Sequence, residues 1–403
     1  MKKILIVPMP AMAETAGPGS RCRILAEGFR NAGMEVCTCM ARDVNYIELD
    51  GIKNYKLEIP TPMGMPKISA KFFFPLVQKL GITSKKTVKS FEQVLFLTGN
   101  LDKRYLKKSV EDIRSAIRDF EPDIVYSEFN ISAHIAAKLE HVRLYATVSF
   151  PTQKEYACEP KLAKGLNKLL GEWGLPKVSS ALELFEWADE KFCPSIPELE
   201  PFDKKVTYIG TMKAAPEEKS AEEAIQGEKL QLVQNSRHNI LVYMGNGTVP
   251  AKKMLHEIKE AFKASPYQLY IASKYLKLQE DGNIHVAQKW DFAKLLEDAA
   301  LFINHGGQNS VVDGLLYGVP QLMVPGKIFE RKYNAQSVEN AGAGKLLDHK
   351  DFCAGNIRKM ADELIASEET RENARALGEK LIRGGGVKTI LQSLNEDYRG
   401  TYD

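Results

Sequence analysis

The sequence has little that would tie it to a membrane, a metal ion or a nucleic acid. No apolar run approaches the ~20 residues that a membrane-spanning helix needs, and a net charge of +3 is too small to indicate a nucleic acid partner. The chain has no Asp-x-Asp pair, and its six cysteines follow no zinc-ligand spacing. We therefore expect a cytoplasmic protein with reduced, mostly buried thiols and with no bound metal or cofactor.

The first residues, MKKILIVPMPAMAETAG, resemble a secretory signal because Lys-Lys precedes a short apolar run. Pro8 and Pro10 interrupt that run, and the sequence continues directly into a helix pattern and a second strand pattern. We interpret the run as the first strand of an α/β domain.

Short apolar runs alternate along the chain with segments of helical spacing, which is typical of strands buried on both faces of a parallel sheet. These runs lie at 4–7, 123–128, 143–148, 239–244, 268–273, 300–304 and 320–324. A length of 403 residues predicts two or three domains. We therefore expect an α/β protein with two doubly wound parallel sheets.

One strand-free stretch, rich in Pro, Ala and Glu, divides the alternation. It predicts an N-terminal domain at 1–210, a linker with an exposed helix at 211–238 and a C-terminal domain at 239–383. The final segment at 384–403 begins with three glycines and predicts a helix, and packing back on the N-terminal domain is one arrangement open to it.

Residues 53–108 are basic, with about a dozen Lys and Arg against three acids, and include KFFFPLV. One interpretation is a surface that faces a membrane or an anionic acceptor, which would place the protein at the inner membrane face. The other is solvated helical faces around an ordinary core.

The segment NHGGQNSVVDGLLYGVP, residues 304–320, has the pattern of a strand end, a glycine turn and a helix. Ligands of open parallel sheets bind at the carboxyl ends of strands, and glycines let a ligand approach the backbone. The amides of the first helical turn lack partners and favour an anion. At helical spacing, Asn309, Ser310 and Asp313 lie opposite the apolar side chains. The segment therefore predicts a diphosphate site.

The longer block FINHGGQNSVVDGLLYGVPQLMVPGKIFERKYNAQ resembles the signature of GT-B glycosyltransferases, in the branches of the UDP-glycosyltransferases and the antibiotic or lipid-linked sugar transferases. The resemblance implies two Rossmann-like domains that face each other across a cleft, the N-terminal one binding the acceptor and the C-terminal one the donor. It also implies that a set of residues holds the diphosphate and ribose. They are His305, the amides of Gly306, Gly307 and Asn309, the Ser310 hydroxyl and, for the ribose, Asp313.

Two further stretches of the C-terminal domain match the resemblance. The turn YMGNGT would line the cleft with Gly245, Asn246, Gly247 and Thr248. The stretch VAQKWDF would bind the base, with Trp290 or Phe292 flanking it.

The sequence departs from the family at the sugar contacts. Glu330 and Arg331 stand where many relatives have an Asp-Gln pair that contacts sugar hydroxyls. Glu330 can still accept from hydroxyls. Arg331 suits a carboxylate such as that of a uronic acid donor, a phosphate, or a salt bridge with its neighbours.

A second departure concerns the general base. The loop AETAGPGSRCR resembles an acceptor loop built from Gly17, Gly19, Ser20 and Arg23, with Ser20, or Pro18 by another spacing, where relatives have His. Glu14 and Glu128 are the acids that could act instead. His134 is a third candidate, for which we favour a structural role.

The resemblance implies an inverting, metal-independent transfer of a hexose from a UDP- or dTDP-sugar to an acceptor hydroxyl, on a small molecule or a lipid-linked acceptor. His305 and helix amides would stabilise the departing diphosphate. A nucleotide-sugar 2-epimerase and a non-catalytic nucleotide-sugar-binding subunit are the alternatives. A Rossmann-type oxidoreductase is disfavoured because AGPGSRC lacks one of the three expected glycines.

Overall fold

The computed structural model describes residues 2–12, 16–66, 88–157, 159–213, 216, 238–245, 248–263 and 265–399. These residues form two compact units. One comprises Met1–Met212 with Gly384–Asp403, and the other comprises Lys213–Arg383. The KFFFPLV segment and the helix predicted in the linker lie outside the described residues.

The N-terminal unit contains a seven-stranded parallel sheet with the strand order β3-β2-β1-β4-β5-β6-β7. Its strands are β1 (Lys3–Pro8), β2 (Glu35–Ala41), β3 (Asn54–Leu57), β4 (Ile124–Glu128), β5 (Arg143–Thr147), β6 (Glu190–Cys193) and β7 (Thr207–Tyr208). Its helices, numbered along the whole chain, are α1 (Ala16–Asn31), α2 (Phe91–Leu97), α3 (Lys103–Phe120), α4 (Ile131–Glu140), α5 (Lys164–Glu172) and α12 (Val387–Arg399).

The C-terminal unit contains a second seven-stranded sheet, with the order β10-β11-β9-β8-β12-β13-β14. Its strands are β8 (Asn239–Tyr243), β9 (Gln268–Ala272), β10 (Gln279–Asp281), β11 (Ile284–Ala287), β12 (Ala299–Asn304), β13 (Gln321–Met323) and β14 (Gly344–Leu346). Its helices are α6 (Ala251–Ala261), α7 (Phe292–Glu297), α8 (Gln308–Leu316), α9 (Phe329–Asn340), α10 (Ala354–Ala366) and α11 (Glu368–Arg383). Only the edge strand β10 pairs antiparallel, with β11. The prediction of two doubly wound sheets is confirmed.

The strand order fixes where each sheet can bind a ligand. In the N-terminal sheet the order changes direction between β1 and β4, and in the C-terminal sheet between β8 and β12. The loops that follow two such strands leave the sheet in opposite directions, so a crevice opens between them at the carboxyl ends. In the C-terminal unit this crevice lies between the turn after Tyr243 and the turn after Asn304.

The central strands of both sheets are buried because they are largely apolar. Leu5, Ile6 and Val7 in β1 have no exposed surface, and the same holds for Leu301, Phe302 and Ile303 in β12. Cys37 and Cys39 in β2 pack into one apolar cluster, and both are free thiols.

The C-terminal helix α12 belongs to the N-terminal unit. Its Ile390 and Leu394 have no exposed surface and join the cluster that contains Ile4, Leu25 and Phe29. The Nζ of Lys2 donates to the carbonyl of Leu394 at 2.5 Å. This helix therefore covers the face of the sheet on which α1 lies.

Local capping explains where the helices of the N-terminal unit begin. The carboxylate of Asp102 accepts from the amides of Arg104 and Tyr105 at the start of α3. Asn130 caps α4 in the same way, and its Nδ2 also donates to the carbonyl of Pro8 at 3.0 Å. This second bond joins the carboxyl ends of β1 and β4.

Among the described residues, no helix is both long and apolar enough to cross a membrane. The predicted membrane contact through 53–108 stays a prediction, since residues 67–87 are not among those described.

Candidate functional site

The turn between β12 and α8 has the backbone geometry that its sequence predicts. β12 ends at Asn304 and α8 begins at Gln308, with Gly307 as its N-cap residue. Gly306 has a φ of +73°, and a Cβ there would lie 2.6 Å from the carbonyl oxygen of Arg331. Only glycine fits this position, because both the conformation and the close approach exclude a side chain.

A buried amide network holds this turn against the sheet. The amide of Gly306 donates to Oδ1 of Asn304 at 2.8 Å, and Asn304 Nδ2 donates to Oε1 of Gln321 at 2.8 Å. Gln321 in turn donates to the carbonyl of Val311 in α8 at 2.9 Å. The Gly306 amide is therefore bonded within the protein, which corrects the prediction that it holds a phosphate oxygen.

Asn334 and Ala335, near the end of the sequence block, have structural roles. Nδ2 of Asn334 in α9 donates to the carbonyl of Gly306 at 3.0 Å, and Ala335 is fully buried. A Cβ on Gly306 would lie 3.5 Å from the Ala335 Cβ. A larger residue at 335 would push α9 away from the turn.

His305 lies at the centre of the site and is 8% exposed. Its Nδ1 lies 3.4 Å from the carbonyl oxygen of Tyr243, at the end of β8. Burial, with a smaller effect from the positive charge of Arg331, lowers the pKa of His305 to about 4. Its Nε2 lies so close to Gly307 that a Cβ there would be 2.5 Å away. The imidazole is thus neutral at pH 7 and directed at the start of α8.

Thr248 and Arg331, which are far apart in sequence, meet beside this imidazole. Nη1 of Arg331 donates to Oγ1 of Thr248 at 3.0 Å. Gly245 has a φ of +55°, and a Cβ there would lie 3.2 Å from Nε2 of His305. Asn246 and Gly247 lie outside the described residues, and Glu330 is exposed.

The polar side of α8 differs in part from the prediction. Asn309 is exposed and Asp313 is half-buried, but Ser310 is only 4% exposed. Nζ of Lys213 forms an ion pair with Asp313 and donates to the carbonyl of Asn309 at 3.1 Å. Burial raises the pKa of Asp313, and Lys213 opposes that shift. The sequence pattern did not predict the role of Lys213, because this lysine lies about 100 residues from Asp313.

An open groove of about 840 Å³ extends from this site along the carboxyl edge of the C-terminal sheet. Its aromatic lining comes from Tyr243, Trp290 and Phe292. The Tyr243 ring contacts both Phe292 and His305, with centroids 5.4 and 5.3 Å apart. Nε1 of Trp290 donates to the carbonyl of Ile271 at 3.2 Å. The structure therefore connects the predicted base-binding stretch with the turn at 305–307.

The predicted acceptor loop is shorter than the sequence indicated. Gly17, Gly19, Ser20 and Arg23 lie in α1, which begins at Ala16. Gly-Pro-Gly indicated a turn, but proline is tolerated in the first turn of a helix, where its missing amide would have no partner anyway. Arg23 is exposed.

Arg21, not Arg23, reaches the end of β4. Its Nε donates to Oε1 of Glu128 in an ion pair, and its guanidinium lies 5.3 Å from the centroid of the Phe129 ring. Glu128 has no exposed surface. This burial contradicts the prediction of Glu128 as a base that meets a substrate hydroxyl directly. Glu14, the other acid predicted for this role, lies outside the described residues.

His134 is a core residue of the N-terminal unit. It is fully buried, its Nδ1 lies 2.9 Å from the carbonyl oxygen of Leu184, and its ring meets Phe185 edge-on. Burial lowers its pKa to about 4. These contacts agree with the structural role favoured from the sequence.

No cluster of three or more His, Cys, Asp or Glu residues suited to a metal ion occurs in the part of the chain that the structure describes.

A family model and a curated relative each match part of the chain. A family model described as the Erythromycin biosynthesis protein CIII-like C-terminal domain matches residues 276–394. The chain is 26% identical over 203 residues to the NDP-glycosyltransferase YjiC of Bacillus licheniformis, covering 48% of this chain and 49% of that protein. The chain thus spans about half the length of this curated relative.

A longer match joins the chain to a second kind of relative. It is 24% identical over 343 residues to a UDP-N-acetylglucosamine--N-acetylmuramyl-(pentapeptide) pyrophosphoryl-undecaprenol N-acetylglucosamine transferase of Bacillus cereus. This match covers 80% of this chain and 86% of that protein.

Solved structures match nearly the whole chain. CalG4, the calicheamicin glycosyltransferase, superposes with a TM-score of 0.73 at 17% identity, covering 99% of this chain and 98% of that one. The spinosyn rhamnosyltransferase SpnG complexed with thymidine diphosphate gives 0.65 at 15% identity, covering 98% of this chain and 100% of that one. At these identities the likeness establishes the fold.

Proposed function

Because the chain is a UDP-glycosyltransferase-like protein with the GT-B fold, we propose that it transfers a sugar from a nucleoside diphosphate sugar to an acceptor hydroxyl. The relatives and structural neighbours are named as transferases, which does not favour the epimerase alternative. The donor is a UDP- or dTDP-sugar in this proposal.

One observation carries the proposal: groups suited to a diphosphate converge at the crevice of the C-terminal sheet. The first-turn amides of α8 and the neutral His305 meet where the order of strands changes direction. Amides at the start of a helix are standard ligands of phosphate in proteins.

The same groups account for the chemistry. As the bond from sugar to diphosphate breaks, negative charge grows on the diphosphate, and donors fixed in advance stabilise it without reorganisation. A bound diphosphate raises the pKa of His305, because a neighbouring negative charge favours the imidazolium. His305 could then donate from Nε2 while Nδ1 stays bonded to Tyr243. We propose that this arrangement needs no metal ion and that a single displacement inverts the anomeric centre.

The groove and Asp313 define how the nucleoside would bind. Trp290 and Phe292 offer aromatic surface for the base, and Asp313 offers a carboxylate for the ribose hydroxyls. The Lys213 ion pair opposes the rise in the pKa of Asp313 that burial causes.

We assign the acceptor, a small molecule or a lipid-linked molecule, to the N-terminal unit. Arg21 and the buried Glu128 then shape the carboxyl edge of that sheet, and Glu14 stays the predicted base.

Calorimetry with UDP, dTDP and GDP, followed by their sugars, tests the donor site. We expect binding of at least one nucleoside diphosphate and weaker binding by at least ~10-fold in His305→Ala. His256→Ala is the control, because this exposed side chain lies on the surface of α6.

Turnover tests the transfer itself. We expect release of nucleoside diphosphate from the sugar donor that depends on an added acceptor. Nucleotide binding without turnover for any donor and acceptor pair would favour the non-catalytic binding subunit.

A further inference from the structure

We propose that Arg331 binds the diphosphate of the donor directly and is the cation that stabilises it as it leaves. This inference rests on the proposed function and adds a residue to it. Of the three partners that the sequence left open for this arginine, a sugar carboxylate, a phosphate and a structural salt bridge, we assign the phosphate.

The position of Arg331 is the first step of the argument. It lies in the first turn of α9, and its carbonyl oxygen lies so close to Gly306 that no Cβ fits between them. Its backbone is therefore part of the wall of the turn at 305–307. From this position, an arginine side chain is long enough to reach both the turn at 305–307 and the loop after β8.

The direction of the side chain is the second step. Nη1 donates to Oγ1 of Thr248 at 3.0 Å, so the guanidinium lies beside the loop after β8. His305 lies close enough for the charge of Arg331 to lower the pKa of the imidazole. The guanidinium is thus held between the two loops that flank the crevice, at the imidazole that faces α8.

Charge is the third step. A guanidinium carries its positive charge on a planar fork of N–H donors that suits phosphate oxygens. Burial lowers the pKa of Arg331, because the protein around the guanidinium disfavours a charge. Such a cation gains most when a doubly charged ligand enters the same low-dielectric space. The first-turn amides of α8 favour an anion at the same place.

A diphosphate fits these observations better than a sugar carboxylate. A carboxylate would lie at the far end of the sugar, one ring away from the diphosphate, whereas the guanidinium lies beside Thr248 and close to His305, at the diphosphate end of the site. The neighbouring Glu330 is exposed. In this proposal, Glu330 is the acid available to the sugar hydroxyls, and Arg331 is the cation that binds the diphosphate.

Calorimetry with matched nucleotides tests this assignment. UDP and UMP, or dTDP and dTMP, differ in the β-phosphate alone, so the ratio of their affinities isolates contacts to that group. We expect Arg331→Gln to weaken the diphosphate by ~10- to 100-fold and the monophosphate by less than about 3-fold. Arg331→Lys should fall between, because it keeps the charge and loses the fork.

Lys332→Gln is the control, since it removes one positive charge from the next position of α9, where the side chain is exposed. It should leave both affinities unchanged. Circular dichroism and melting temperature show whether each variant is folded, and if Arg331→Gln does not fold, Arg331→Lys decides.

The outcomes separate this inference from the proposed function. If no nucleoside diphosphate binds the unaltered protein, both fail. If UDP binds and Arg331→Gln lowers the affinities for UDP and UMP by the same factor, or changes neither affinity, only the assignment of Arg331 fails. If Arg331→Gln leaves the UDP affinity unchanged but removes a preference for a UDP-uronic acid, Arg331 contacts the sugar carboxylate instead.

Discussion

At the scale of single residues, the turn at 305–307 shows how far a sequence pattern can be translated into chemistry. Two glycines after a strand predicted a close approach to the backbone, and Gly306 has the positive φ and the crowding that require glycine. The atoms that crowd Gly306 belong to the protein, namely the Arg331 carbonyl and the Ala335 Cβ, so a ligand is not needed to explain the glycine. A pattern of residue types cannot make that distinction.

We predict that Gly306→Ala destabilises the C-terminal unit by about 1–3 kcal/mol, because a Cβ would collide with the Arg331 carbonyl at a strained φ. It should also weaken nucleotide binding, since the turn must shift. Urea unfolding measures the first effect and calorimetry the second.

Gly355→Ala is the matched control. This glycine lies in α10, and a Cβ there would meet nothing within 4 Å. Alanine should be neutral or stabilising by about 0.5–1 kcal/mol. Equal losses in both variants would contradict our account of Gly306.

At the scale of helices and strands, the alternation of short apolar runs with helical segments predicted the parallel strands, because such runs are typical of a sheet covered on both faces. The start of α1 was not predicted: Gly17, Pro18 and Gly19 have low helix propensity, yet the first turn tolerates them. The Lys213–Asp313 and Arg21–Glu128 pairs could not be predicted either. Each joins residues about 100 positions apart, and their proximity exists only after the sheet has formed.

His134 in helix α4 predicts that the folded protein loses stability at low pH. His134 has a pKa of about 4 in the folded protein because it is fully buried, against roughly 6.5 in an unfolded chain. The unfolded state therefore binds the proton first, and stability is lost as the pH falls from about 6.5 towards 4. The share from His134 is about 2 kcal/mol between pH 7.5 and 5.

Urea unfolding at those two pH values, with His134→Leu for comparison, measures this share. The variant should be less stable at pH 7.5, because the Leu184 carbonyl loses its donor, and should lose about 2 kcal/mol less on acidification. An equal loss in both proteins would show that other groups cause the acid sensitivity.

At the scale of the whole molecule, the described apolar cores lie within one unit each. The predicted donor residues, from Gly245 to Arg331, all belong to the C-terminal unit. Binding of a nucleoside diphosphate should therefore stabilise that unit first.

Hydrogen exchange with and without saturating UDP or dTDP tests this expectation. We expect slower exchange in the loop after β8 and in residues 304–316, and smaller changes in β1 to β7. Protection concentrated in the N-terminal unit would place the nucleotide elsewhere.

The position of α12 in the N-terminal unit has a consequence for biosynthesis. A ribosome makes the first 212 residues long before it makes Ile390 and Leu394, which complete the apolar cluster around Leu25 and Phe29. While the second unit is being translated, that cluster is left without its final helix and is a natural surface for a chaperone to cover.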